Sequence, residues 1–106
     1  MKHHTDARAQ KIKINIGIKN ITTVEKNLTF AQVSDIFGFR IVTRELLDCY
    51  RALGVLHQLY KPVPGRFKDY IAIPKPNGYK SLHTTLVSPL GTSVEFQIRT
   101  DEMHAV

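Results

Sequence analysis

The chain has no tryptophan, one cysteine and no long apolar run, and each shortage excludes something. Cys49 alone cannot close an internal disulfide, and Met1 to Asp6 lacks the apolar core of a signal peptide, so a cytoplasmic, reducing location is expected. Apolar stretches are broken by Arg, Lys or Gly long before the roughly 20 residues that a spanning helix needs, so no integral membrane protein is expected. Repeats, low-complexity tracts and Gly/Ser linkers are also missing, which leaves one continuous piece. At 106 residues, 42% hydrophobic and 23% charged, that piece fits a single domain with a modest core.

Acid is the scarcer charge. Nine Asp and Glu face fifteen Lys and Arg, a net charge of +6 that favours anionic partners such as nucleotides, RNA or an acidic protein face. The imbalance is local: between Lys61 and Lys80 stand Lys61, Arg66, Lys68, Lys75 and Lys80, with Asp69 the sole acid. Such a segment attracts phosphate, although a solvated basic loop has the same composition.

Periodicity supplies the elements. Lys11 to Ile21 alternates, with Ile12, Ile14, Ile16 and Ile18 on one side, which predicts a strand. Asp35 to Val42 is short and rich in aromatic and β-branched residues, a buried strand with Asp35 at its start. Leu46, Cys49, Tyr50, Leu53, Leu56 and Tyr60 follow a helical period that stops before Pro62, with Thr43 as the expected N-cap. Pro62, Pro64, Gly65, Pro74, Pro76 and Gly78 mark a loop, with one helical turn around Arg66 to Ala72. Ser81 to Val87 and Thr92 to Thr100 read as a hairpin joined by Ser88-Pro89-Leu90-Gly91, a type I turn. In its second strand Glu95, Gln97 and Arg99 share one face, and Val94, Phe96 and Ile98 the other. Thr100 caps a final helix that begins with Asp101 and Glu102. Together these predict an α/β fold, a mixed sheet of about four strands with flanking helices, and the Leu46 to Tyr60 helix across one face.

Transfer of a phosphoryl or pyrophosphoryl group needs cations for the phosphates, carboxylates for Mg²⁺, a base for the attacking hydroxyl and a flat surface for a nucleobase. One candidate exists for each: Asp35 and Glu95 at strand positions for a metal, the Lys/Arg loop for phosphates, and Tyr79 beside Asn77-Gly78 for a purine. Each also has an ordinary alternative, Asp35 as a strand cap, Glu95 as a solvated residue and Tyr79 as a rim aromatic.

Five runs in order carry a resemblance: Asp35-Ile-Phe-Gly-Phe-Arg40, Asp48-Cys-Tyr-Arg-Ala-Leu-Gly54, Pro64-Gly-Arg-Phe-Lys-Asp-Tyr-Ile-Ala72, Pro74-Lys-Pro-Asn-Gly-Tyr-Lys-Ser-Leu-His-Thr84 and Val94-Glu-Phe-Gln-Ile-Arg-Thr100. They resemble the signatures of the RelA/SpoT (p)ppGpp synthetase domain from about Lys26 to Val106, with residues 1–25 a divergent N-terminal segment and the domain shortened. The resemblance implies a nucleotidyltransferase-like sheet, and transfer of pyrophosphate from ATP to the ribose 3′-hydroxyl of GDP or GTP in the stringent response. It makes Asp35 and Glu95 the metal ligands and catalytic carboxylates, for Mg²⁺ with Mn²⁺ as substitute, and Glu95 the base. It assigns Arg40, Arg66 and Lys68 to ATP, and Tyr79, His83, Lys75, Asn77 and Gln97 to GDP or GTP. The basic Arg66-Phe-Lys-Asp69 form resembles SpoT- or Rel-like bifunctional enzymes, which also carry a hydrolase domain.

The second expectation is a non-catalytic remnant that binds guanine nucleotide or RNA, since Ala9 to Glu25 does not show the family's Arg-x-Lys ATP-phosphate motif, for which Lys11, Lys13 and Lys19 are the candidate substitutes. A shortened domain is also expected to expose apolar surface and form homo-oligomers, and ribosome or RNA contact fits its charge. Hairpin register tests the site. A plain four-residue loop pairs Thr84 with Glu95 and turns His83 to the wrong face, so a site that uses both requires a bulge or a longer loop between Ser88 and Thr92.

Overall fold

Alternation of apolar and polar residues decides the layers. In the computed structural model, which describes residues 9–11, 21–27 and 37–105, strand β7 (Ser93–Thr100) buries Phe96 and Ile98 toward one face. Helix α1 (Leu46–Leu59) covers that face with Cys49, Ala52 and Leu56, a spacing of three and four that places all three on one helix side. Strands β2 (Ile21–Asn27), β3 (Phe37–Thr43) and β6 (Leu82–Val87) add Val24, Ile41, Leu82 and Leu86 to the same cluster. Burial of each large aliphatic side chain there contributes about 1.5–3 kcal/mol.

The described residues form one mixed sheet of seven strands, in the order β1-β2-β3-β7-β6-β4, with β1 at Ala9–Lys11 and β4 at Lys61–Pro62; β5 (Lys68–Asp69) also pairs with β6. Only β3 and β7 run parallel; the other pairs are antiparallel. The α/β class, the mixed sheet and the helix across one face are as expected, but the strands outnumber the expected four. Three of the additions are two- or three-residue strands in polar or Pro-rich sequence, too short to carry a periodic signal. The fourth, β2, contains the β-branched run Ile21-Thr22-Thr23-Val24, a signal the alternation upstream overshadowed. Of the strand expected at Lys11 to Ile21, residues 12–20 lie outside the described residues. No helix among the described residues is long and apolar enough to cross a membrane.

Three local expectations are corrected. The N-cap of α1 is Glu45, not Thr43, and it makes no side-chain cap bond. The Thr43 hydroxyl instead donates to the Glu45 carbonyl at 3.1 Å and meets the buried Cys49 Sγ at 3.2 Å. The helical turn expected around Arg66 to Ala72 begins only at Asp69: Lys68–Asp69 pairs with β6, the Ile73 amide then donates to the Asp69 carbonyl at 3.3 Å, and Asp69 Oδ1 accepts the Ile71 and Ala72 amides at 2.9 Å each. Strand β6 begins at Leu82, one residue later than the expected Ser81. The final short helix α2 (Asp101–His104) does begin as expected, with Thr100 Oγ1 accepting the Met103 amide.

Candidate nucleotide site

The hairpin turn sets the face on which each polar side chain stands. Gly91 N–H donates to the Ser88 carbonyl at 2.9 Å, closing a four-residue turn over Ser88–Gly91, and Gly91 itself has φ +85°, left-handed backbone that glycine adopts without strain. The Ser88 amide then bonds the Thr92 carbonyl, so the connection is five residues long. That is one residue longer than the plain loop, with the extra residue accommodated beside the left-handed Gly91. Thr85 therefore pairs with Glu95 and His83 with Gln97. His83, Thr85, Glu95 and Gln97 share the face away from α1, as a common site requires.

The neighbouring strands extend the arrangement. Across the sheet the register runs Lys68, His83, Gln97, Arg40 in one row, with Thr85, Glu95 and Gly38 in the next. A cleft on this face is lined by Arg66, Lys68, His83, Thr85 and Glu95. Gln97 and Thr85 are buried beneath it. Two candidate cations for phosphate and the candidate base thus lie in one concavity. Lys68 faces the cleft because its neighbour Asp69 is tied to the other side: Asp69 Oδ2 accepts the Tyr50 hydroxyl of α1 at 2.8 Å. Burial favours a neutral Asp69, but the hydrogen bonds from Ala72, Tyr50 and Ile71 outweigh it and hold the carboxyl below its ordinary value. Those bonds occupy both of its oxygens. Phe67, between the two cations, meets the His57 ring edge-on at 6.1 Å, and His57 Nε2 is 2.7 Å from Thr84 Oγ1; burial lowers the His57 pKa.

The second half of the site is built from the loop before β6. Gly78 N–H donates to the Lys75 carbonyl at 2.8 Å, and the Tyr79 amide donates to Asn77 Oδ1 at 3.0 Å. Gly78 has φ +87°. This turn sends the Tyr79 ring toward His83: Tyr79 Oη and His83 Nε2 are 2.8 Å apart, although β6 does not extend to Tyr79. The Lys75 ammonium lies 5.5 Å from the centre of the Tyr79 ring and the Arg99 guanidinium 5.8 Å. His83 is pushed down to about 4, by burial first and then by the charges of Lys75 and Arg99, so it is neutral at physiological pH. Asn77, Gly78, Tyr79, Lys80, Arg99 and Glu102 line an adjoining groove.

The structure thus brings together Glu95, Arg66, Lys68 and His83 on one side, and Tyr79, Lys75, Asn77 and His83 on the other, with His83 common to both; Gln97 and Arg40 continue the row. Asp35 lies outside the described residues, three positions before Gly38, the register partner of Glu95. Among the described residues no group of three His, Cys, Asp or Glu could hold a metal by itself. Glu95 is the carboxylate of the cleft. Mg²⁺ commonly takes one or two carboxylates and fills its remaining positions with water and substrate phosphate, so this donor set is compatible with it. Sequence reading missed Tyr70, and it placed Arg99 on the face of Glu95 and Gln97 without giving it a role. Tyr70 stands inside the Lys68-Asp69-Tyr70 run, and Arg99 follows Glu95 and Gln97 at a spacing of two.

A mixed α/β fold of this kind is shared with solved small alarmone synthetases. The chain superimposes on small alarmone synthetase 2 of Bacillus subtilis with a TM-score of 0.65 and 27% identity, over 86% of this chain and 61% of that one. Small alarmone synthetase 1 of the same organism, solved with its product pppGpp, gives 0.63 and 25%, over 81% and 57%. The chain belongs to the RelA/SpoT family, since the model described as a region found in RelA / SpoT proteins matches residues 8–106. It is 48% identical over 104 residues to a GTP pyrophosphokinase of Myxococcus xanthus, covering 93% of this chain and 14% of that protein. Against the bifunctional (p)ppGpp synthase/hydrolase SpoT of Escherichia coli K12 it is 55% identical over 80 residues, covering 76% and 11%. It therefore spans only about a seventh to a ninth of the length of these two relatives.

Proposed function

We propose that this chain carries the transfer site of a (p)ppGpp synthetase, moving pyrophosphate from ATP to the 3′-hydroxyl of GDP or GTP. The observation that carries the reading is the five-residue hairpin loop, because it is what gives Glu95, His83, Gln97 and the Lys68 row a common face. In this reading Arg66 and Lys68 hold the ATP phosphates and Arg40 faces the adenine. Tyr79 stacks on guanine, with Asn77, Lys75, His83 and Gln97 around the acceptor nucleotide. Glu95 accepts the proton of the 3′-hydroxyl as the oxygen attacks the β-phosphorus of ATP and AMP departs. Asp35 and Glu95 would hold Mg²⁺, which when bound neutralises phosphate charge. Neutral His83 adds no charge against the cations around it, leaving the electrostatics to Lys75 and Arg99.

Support comes from the family membership and from the pppGpp bound to the structural neighbour. The test is incubation with ATP, GDP and Mg²⁺. The expected result is ppGpp, abolished by Glu95→Gln with GDP binding kept; binding of GDP without turnover in the wild-type chain would leave a nucleotide-binding remnant instead.

A further inference from the structure

The loop that carries Lys75 has its main chain fixed and its side chain free of any backbone constraint. Lys75 C=O accepts from Gly78 and Lys75 N–H donates to the Tyr79 carbonyl, so both of its backbone groups are committed to the turn. The ammonium is held by rings: it lies 4.8 Å from the centre of Tyr70, nearer than its 5.5 Å to Tyr79. Tyr70 is itself well anchored. Its amide donates to the Ser81 carbonyl at 2.9 Å, and its ring meets His83 edge-on at 5.3 Å and Tyr79 at 6.2 Å. Arg99 also lies over the Tyr79 ring. A base stacked on Tyr79 takes one of the two faces of that ring, whereas the Tyr70 ring stays open to the Lys75 ammonium whichever face the base uses.

We infer that Tyr70 is a positioning residue, whose ring seats the Lys75 ammonium at the edge of the acceptor site and keeps it there when a purine occupies the Tyr79 face. The inference rests on the proposed acceptor role of Tyr79 and Lys75. It predicts a preference that a merely structural tyrosine would not produce. Weakening the ring's attraction for a cation, at constant shape, should weaken the phosphate-bearing guanine nucleotide and leave ATP untouched.

The test is isothermal titration of the 106-residue chain with GDP and, separately, with a non-hydrolysable ATP analogue, each with Mg²⁺. Tyr70→Phe should bind GDP as the wild type does, and Tyr70→Leu should bind it about 3-fold more weakly, the loss of a partly exposed cation–π contact. Because Tyr70→Leu removes packing against His83, the deciding series replaces Tyr70 with phenylalanine carrying one, two and three ring fluorines, which drains the ring face without changing its size. GDP affinity should fall stepwise along the series, and affinity for the ATP analogue should stay constant. A flat GDP response across the series, with Lys75→Ala still weakening GDP, would overturn the seat while leaving the acceptor site standing. Equal damage from Tyr70→Phe and Tyr70→Leu would overturn it too, since the hydroxyl rather than the ring would then be at work. If Lys75→Ala and Tyr79→Ala both leave GDP binding unchanged, the acceptor reading itself falls, and this inference with it.

Discussion

Tyr50→Phe should loosen the strand that presents Lys68 while leaving the core intact. The hydroxyl removed is the one that donates to Asp69 Oδ2 at 2.8 Å, across nineteen residues of sequence, from helix α1 to strand β5. A hydrogen bond to a charged group contributes about 1.5–3 kcal/mol when shielded. Here both partners are partly open to water, which reduces the expectation to ~1 kcal/mol. For a domain of this size that is a fall in Tm of about 4–8 °C, readable by circular dichroism. The pH dependence gives the sign. Asp69 titrates below its ordinary value in the folded chain, so its contribution is present above that value and is lost as pH falls through the folded one. The gap between wild type and Tyr50→Phe should therefore narrow in acid. A double-mutant cycle isolates the pair: in an Asp69→Ala background, which leaves the Tyr50 hydroxyl no partner at that position, the Phe substitution should cost nothing further. An equal cost in both backgrounds would refute the reasoning, because the Tyr50 hydroxyl would then be acting through something other than the carboxylate. Affinity for the ATP analogue should fall with stability in Tyr50→Phe, since Lys68 faces the cleft only while Asp69 is held on the opposite side.

Gly91→Ala meets open space but must adopt φ +85°, so it should cost ~1 kcal/mol in urea unfolding; an unchanged midpoint would show that the turn relaxes. Phe96 stacks on Phe39 with ring centres 5.3 Å apart, and Phe96→Ala should lose about 3–5 kcal/mol by the same measurement. His83 binds a proton less readily folded than unfolded, so it should erode stability as pH drops from its ordinary value toward about 4; in His83→Gln that part of the acid limb of a Tm-against-pH curve should flatten. Glu95→Gln should abolish turnover while leaving GDP affinity within about 2-fold, as measured by titration, because a neutral amide of the same shape can fill the cleft but cannot take a proton.

Much of the fold was legible because its signals are local. The apolar positions Cys49, Leu53 and Leu56 have no reading other than a helix, and Val94, Phe96 and Ile98 none other than a strand with one buried face. The parts that were not legible depend on partners distant in sequence. Lys61–Pro62 and Lys68–Asp69 are strands only because β6 offers them an edge at Leu86–Val87 and Leu82–His83; two residues contain no period. Thr43 has the chemistry of a cap, yet the chain enters the helix two residues later, and its hydroxyl serves the Glu45 carbonyl instead. Tyr79 has no strand to orient it, and its position comes from the Asn77-Gly78 turn and the bond to His83.

The shared face of the candidate residues was legible to a finer degree than the strands that support it, and the reason lies in one residue of loop length. A strand has only two faces, so requiring that His83 and Glu95 share one leaves a single binary question, and the turn between them answers it. Ser88-Pro89-Leu90-Gly91 is recognisably a type I turn, but the parity depends on whether pairing resumes at Thr92 or at Ser93. The Ser88 amide decides that by donating to the Thr92 carbonyl, which takes Thr92 into the connection and leaves Val87 with Ser93 as the first pair. The same parity that brings His83 and Thr85 to Gln97 and Glu95 sends Thr84 to His57 on the helix side. Deleting Leu90 would therefore pit the core against the site: keeping Phe96 and Ile98 buried forces strain into the turn, whereas relaxing the turn exposes them and buries Glu95. Burial of two such side chains is worth about 3–6 kcal/mol, more than a strained turn costs. The deletion should accordingly keep the sheet register, lower Tm, and preserve the GDP affinity that the proposed site predicts. Loss of GDP binding with an unchanged Tm would mean that the strand had slipped and that the core does not hold the register.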